Sequence, residues 1–191
     1  RRFAEETFDG LVSELLQERA RLTRFIEAIG GKEWTDAALR THLDLPPDES
    51  AETLLRDGLA DSALDLVGLR RAAEALVESS KTDMERGAAL AEFLAAEGAR
   101  RTELFESYCS VFLTGTGDLR KRLATKAAVE LFTDIETVLT REGERLIALK
   151  ERLNAHGLAE RTSAVLRISA AVLDGYEAGK RRGALVDFED L

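Results

Sequence analysis

Apolar residues along this chain recur at intervals of three, four and seven, without the alternation that marks strands. In the first segment Phe8, Leu15, Leu22 and Ile29 return every seven residues, with Leu11, Val12, Phe25 and Ile26 beside them. That stripe predicts one amphipathic helix, ended by Gly30-Gly31. Thr35 is placed to cap a short helix reaching about His42, Leu45-Pro46-Pro47-Asp48 makes a turn, and another short helix carries Leu54, Leu55 and Leu59. From Asp61 a helix is expected through Leu64, Val67, Leu69, Ala72 and Leu76. The capping-box spacing of Thr82-Asp83-Met84-Glu85 then opens a helix through Leu90, Phe93 and Leu94. Beyond Gly98 the next helix runs from about Arg100 to Leu113, with Leu104, Phe105, Tyr108 and Phe112 at helical spacing, and halts at Thr114-Gly115-Thr116-Gly117.

Thr133-Asp134 restarts the pattern, which continues to about Arg182. Leu139, Leu146 and Leu153 form one seven-residue series and Leu158, Val165 and Val172 a second, two residues out of phase, so a bend or break is expected near His156-Gly157. Pro46 and Pro47 are the only prolines, and Ala, Leu, Glu and Arg dominate, so little interrupts the helices. The prediction is an all-α fold: an elongated bundle of long antiparallel amphipathic helices joined by short ones. Residues 1–183 form the helical body, and 184–191 begin a further segment.

The 191 residues suffice for an apolar core, and no apolar run approaches the thickness of a bilayer, so no membrane partner is expected. The chain starts at Arg1, lacks a targeting segment, and reads as a piece of a larger cytoplasmic protein. Cys109, the only cysteine, cannot form an internal disulfide, and His42 and His156 lack metal-ligand spacing. The run Thr114-Gly115-Thr116-Gly117-Asp118 lacks the Gly-Lys-Ser/Thr ending of a nucleotide phosphate loop, and no strand precedes it. No nucleophile and base can be assembled from the carboxylates spread along the helices, so no catalytic residue, metal or cofactor is expected within the chain.

Charge changes this picture at one place. A net charge of −9 argues against a nucleic-acid-coating domain. Yet residues 114–128 hold Arg120, Lys121, Arg122 and Lys126 against Asp118 alone. Cations beside Thr114 and the Gly115 amide are suited to phosphate oxygens, the cations supplying charge and the loop directed donors. The alternative from the residues alone is a solvated face paired with local acids. Trp34 is expected to fold onto the core from a loop.

The end of the chain, from Tyr176 through Lys180 and Gly183-Ala184-Leu185-Val186-Asp187-Phe188-Glu189-Asp190-Leu191, resembles the Tyr…Lys…Gly-x-Leu-(x)-Asp-Phe-x-Asp-Leu signature of UvrD-like superfamily 1 helicases. The stretch Phe112-Leu113-Thr114-Gly115-Thr116-Gly117-Asp118-Leu119-Arg120-Lys121-Arg122, with Thr125-Lys126, is similar to a segment of AddA, the helicase-nuclease subunit of double-strand break repair. Leu119 stands where that family often has Pro. The resemblance covers about residues 105–191. It implies that the chain is the helical insertion called subdomain 1B, with Tyr176, Lys180, Asp187, Phe188 and Asp190 as motif residues returning the chain to the first motor domain. It also implies a parent that uses ATP and Mg, an AddB-like partner subunit, and duplex or forked DNA held by the arm. The competing expectation is a helical interaction module whose stripes dock a partner protein without DNA contact.

Overall fold

A computed structural model describes residues 10, 13–15, 17–28, 31 and 35–183. Those residues are all-α. The helices are α1 (Arg19–Ala28), α2 (Thr35–His42), α3 (Ala51–Gly58), α4 (Leu66–Val77), α5 (Lys81–Ala95), α6 (Ala99–Glu103), α7 (Phe105–Phe112), α8 (Lys126–Leu131) and α9 (Ile135–Gly183), with one 3-10 turn at Asp61–Ala63. Phe8, Leu11, Val12, Ile29, Gly30, Trp34 and residues 184–191, with Asp187, Phe188 and Asp190, lie outside the described residues. The chain divides into two compact units, residues 49–154 and residues 1–48 with 155–191.

In the unit of residues 49–154, Ser50 caps α3 through its hydroxyl, which accepts from the Thr53 amide at 3.0 Å. The helix expected from Asp61 begins at Leu66, where the Asp65 carboxylate accepts from the Gly68 amide at 3.0 Å. That start buries Leu69, Ala72, Ala73 and Leu76 and leaves Val67 73% exposed, so Val67 is not part of the apolar stripe. The cap of α5 is Ser80, two residues before the expected Thr82. Gly87 of α5 lies so close to the end of α4 that a Cβ there would stand 2.8 Å from the Val77 nitrogen, which lets the two backbones meet.

The expected helix from Arg100 to Leu113 is two helices, divided at Leu104. Arg101, buried beside this division, donates to the carbonyls of Leu59 and Ala96, each at 2.8 Å, and pairs with Asp61 at 2.6 Å. Leu69 and Leu76 of α4, Leu90 and Phe93 of α5, Tyr108 and Phe112 of α7 and Ile135, Leu139 and Leu146 of α9 form the core. The Phe93 and Tyr108 rings stack at 3.6 Å, and Phe112 meets Tyr108 edge-on at 5.2 Å.

One charged group enters that core with its partners. Glu142 accepts from the Tyr108 hydroxyl at 2.6 Å and from Arg145 through both carboxylate oxygens, at 2.9 and 2.6 Å. Arg145 also donates to the Gly58 carbonyl at 2.7 Å. Burial, and after it the neighbouring Glu142 charge, raise the Tyr108 hydroxyl far above the usual tyrosine range, so the proton stays on the phenol as the donor this bond requires.

Of the expected bend or break near His156-Gly157, a break does not occur, because α9 is one helix. Glu142, Leu149, His156, Ser163 and Ala170, each seven residues after the last, are all buried. Leu158 and Val165, two residues further on than His156 and Ser163, are therefore turned about 200° from that seam. They are 49% and 55% exposed. Small and polar residues continue the seven-residue series of buried positions where the leucines leave it.

In the unit of residues 1–48 and 155–191, α1 is followed by Gly31 at φ 110°, whose amide returns to the Ile26 carbonyl at 2.9 Å. The turn after α2 is held by Arg40, which donates to the Pro46 carbonyl at 2.8 Å, and Leu45 is buried there.

Candidate nucleic-acid interface

The segment after α7 turns back on itself before α8 begins. Leu113 and Leu119 form an isolated antiparallel bridge, closed by the Thr114 amide to the Asp118 carbonyl at 2.8 Å and the Arg120 amide to the Phe112 carbonyl at 2.9 Å. Gly117, at φ 89°, supplies the left-handed residue this tight turn needs. Leu119 packs against the core beside Gly143, where a Cβ would collide with a Leu119 methyl carbon.

Within the turn the polar groups satisfy one another. The Thr114 and Thr116 hydroxyls lie 2.8 Å apart, Thr116 donates to the Asp118 carboxylate at 2.7 Å, and the Asp118 amide donates to Thr114 Oγ1 at 3.2 Å. Gly115 is exposed and has open space around it. Arg120 folds back so that its Nε donates to the Ser110 carbonyl at 3.1 Å, at the end of α7, where the helix dipole favours a cation.

A cavity of about 760 Å³ opens between this turn, α7 and residues 147–154 of α9. Thr114, Gly115 and Arg120 reach it, with Lys150 and Asn154. Glu106, Asp118 and Glu151 also line it, and Lys150 is bound to Glu106 at 3.0 Å, so the cavity carries more acid than base. Cys109 forms part of its wall with a thiol that burial pushes up to about 11, which keeps the sulfur protonated and unreactive near neutral pH.

The expected basic residues thus fall in two places. Arg120 belongs to the cavity, whereas Lys121 and Arg122 follow it and Lys126 comes after the buried Leu123 and Ala124. Arg122 precedes α8 and Lys126 is its first residue, so the two do not share one helical face. All three are exposed, and among the described residues none of them lies within 4.0 Å of a carboxylate. Arg56, Arg86, Arg100, Arg101, Arg141, Arg145, Lys150 and Arg152 of the same unit are each ion-paired, while Arg70, Arg71 and Lys81, dispersed on other elements, also have no carboxylate within 4.0 Å among the described residues.

Two residues that sequence patterning did not single out for this segment hold it to the body. Asp83, fully buried in the first turn of α5, accepts from the Thr125 amide and the Ser79 hydroxyl, each at 3.1 Å, and pairs with Arg86. Arg86 in turn donates to the Arg122 carbonyl at 3.4 Å. Burial alone would raise the Asp83 carboxyl. The adjacent Thr125 hydroxyl, the Thr125 amide and Arg86 outweigh it and hold the group below the ordinary carboxylate value, although the hydroxyl itself makes no well-formed hydrogen bond. The only local signal for this arrangement is an acid and an arginine three residues apart on a helix.

Of the motif residues near the end of the chain, Tyr176 and Lys180 lie on α9, with the Lys180 ammonium 5.6 Å from the Tyr176 ring centroid. The Arg19 guanidinium stands at the same distance from that ring. No group of three or more potential metal ligands occurs among the described residues, and no described helix is long and apolar enough to cross a membrane. No protein-family model, curated protein or solved structure matches this chain.

Proposed function

We propose that this chain is the DNA-contacting helical arm of an AddA-type helicase-nuclease, an ATP-dependent enzyme that unwinds and processes double-strand breaks for recombinational repair. The observation that carries the reading is the exposed run Lys121, Arg122 and Lys126, free of carboxylate partners among the described residues in a chain of net charge −9. Its resemblance to the AddA segment points the same way. Phosphates are the natural complement of such a run, since each one neutralised by a side chain releases condensed counterions, and surrounding acid keeps the polyanion off the rest of the surface. ATP and Mg belong to the motor of the parent enzyme, and an AddB-like subunit is its partner. The inward-turned hydroxyls of Thr114 and Thr116 limit what the turn can offer a phosphate, so the contacts centre on Lys121, Arg122 and Lys126, with Arg120 and Gly115 at their margin.

The second reading, a helical protein-interaction module, is favoured by one feature. Between α4 and α5 an open cavity of about 510 Å³ is lined by Ala73, Val77, Ala91, Leu94 and Ala95, with Arg70, Glu74 and Glu78 also lining it.

The two readings separate on salt. Arg122→Ala with Lys126→Ala, in the enzyme that contains this arm, is expected to flatten the log-affinity against log-salt slope for duplex or forked DNA by about 2. Binding should weaken about equally across sequences, with ATP hydrolysis at saturating DNA little changed. Unchanged affinity together with an unchanged slope removes the DNA reading and leaves the interaction module.

A further inference from the structure

The basic run has little regular structure of its own. Residues 120–125 lie outside any helix, and Lys121 and Arg122 among them are exposed. A flexible stretch carrying three cations would hold phosphate weakly, because ordering it on binding subtracts from the gain. Here the two ends of the run are fixed from below by a single pair of residues on α5. Asp83 takes the Thr125 amide, immediately before Lys126, and Arg86 donates to the carbonyl of Arg122. The pair is itself anchored, since Asp83 is fully buried and also accepts from Ser79.

We infer that Asp83 and Arg86 are positioning residues, a clasp that sets the backbone of Arg122–Lys126 and so presents the basic run in one conformation. Neither needs to touch a ligand. The backbone part of this inference stands on the hydrogen bonds alone. Its consequence for DNA rests on the function proposed above. A buried carboxylate whose acceptor capacity is used by an amide, a hydroxyl and a guanidinium holds the crossing of two chain segments firmly, and each partner lost leaves the others unsatisfied in a dry site.

The test compares Asp83→Ala, Asp83→Asn and Arg86→Gln in the full chain, reading amide hydrogen exchange at residue 125 and its neighbours by NMR. Asp83→Ala should speed exchange of the Thr125 amide at least tenfold, and Asp83→Asn, which keeps an acceptor, should restore much of the protection. Arg86→Gln should speed exchange around Arg122 while leaving the α7 amides unchanged, and it keeps the test informative if Asp83→Ala fails to fold. Exchange at Thr125 and its neighbours that is unaltered in the folded variants overturns the clasp and leaves the DNA reading untouched. If exchange rises but the DNA salt slope and affinity stay at their original values, the clasp stands and its role in presenting the cations to DNA is overturned. If both change and Asp83→Asn recovers both, the clasp and its role in presenting the cations are supported together.

Discussion

Ile135, Leu139, Leu146 and Leu149 face the core from the first half of α9, whereas the buried residues of its second half are His156, Ala159, Ser163, Ser169 and Ala170. The helix is the same and the seven-residue rhythm of burial passes through both halves, but the material on the seam changes. Large apolar side chains each contribute roughly 1.5–3 kcal/mol on burial. Alanine and serine contribute much less and bring neighbouring backbones closer. The comparison separates two properties that usually travel together, being on the buried face and being bulky and apolar. In the second half Leu158, Val165 and Ile168 are bulky and exposed.

The sharpest way to break that contrast is at Leu146, which is fully buried. Leu146→Ala should cost about 2–5 kcal/mol of unfolding free energy, through lost transfer energy and an unfilled cavity. A denaturant titration followed by helix signal would measure it, and a loss under 1 kcal/mol would mean the core closes around the gap. A smaller effect is expected at the polar insertion in the same half. Tyr108→Phe removes the donor to Glu142 but leaves Arg145 in place, so a loss of about 1–2 kcal/mol is expected in the same titration. No loss would show that Arg145 alone satisfies the carboxylate. The smallest effect belongs to the second half, where Leu158→Ala and Val165→Ala should each stay within about 0.5 kcal/mol of the parent. A cost at Val165 comparable to that at Leu146 would mean that this face is covered in solution, and the contrast between the halves would not hold.

These positions also mark what could be read from the amino-acid order. The series through Leu139 and Leu146 predicts the buried face correctly because bulk and burial coincide there. The series through Leu158 and Val165 has equally good spacing and lies on the exposed side, since the seam beyond Leu153 is built from His, Ala and Ser, which carry no strong apolar signal. The six-residue α8 has too few turns to show a period, and the division at Leu104 leaves the apolar spacing of its neighbours intact, so neither is visible in the pattern. At the interface, the local charge excess is legible in the composition of residues 114–128. The separation of Arg120 from Lys121, Arg122 and Lys126 is not legible, because it follows from a hydrogen bond to Ser110 ten residues back. The bond from the Thr125 amide to Asp83 spans 42 positions and leaves no local trace.

Cys109 gives the molecule a built-in clock. It is the only thiol in the chain, it is 3% exposed, and burial holds its proton on up to about 11. Cys109 shows only this small area in the wall of the cavity beside α7, so a thiol-modifying reagent meets it mainly during excursions that widen that wall, and the labelling rate at low reagent concentration follows the population of those excursions. The chain thus reports the opening of this wall at one defined atom, without an added probe.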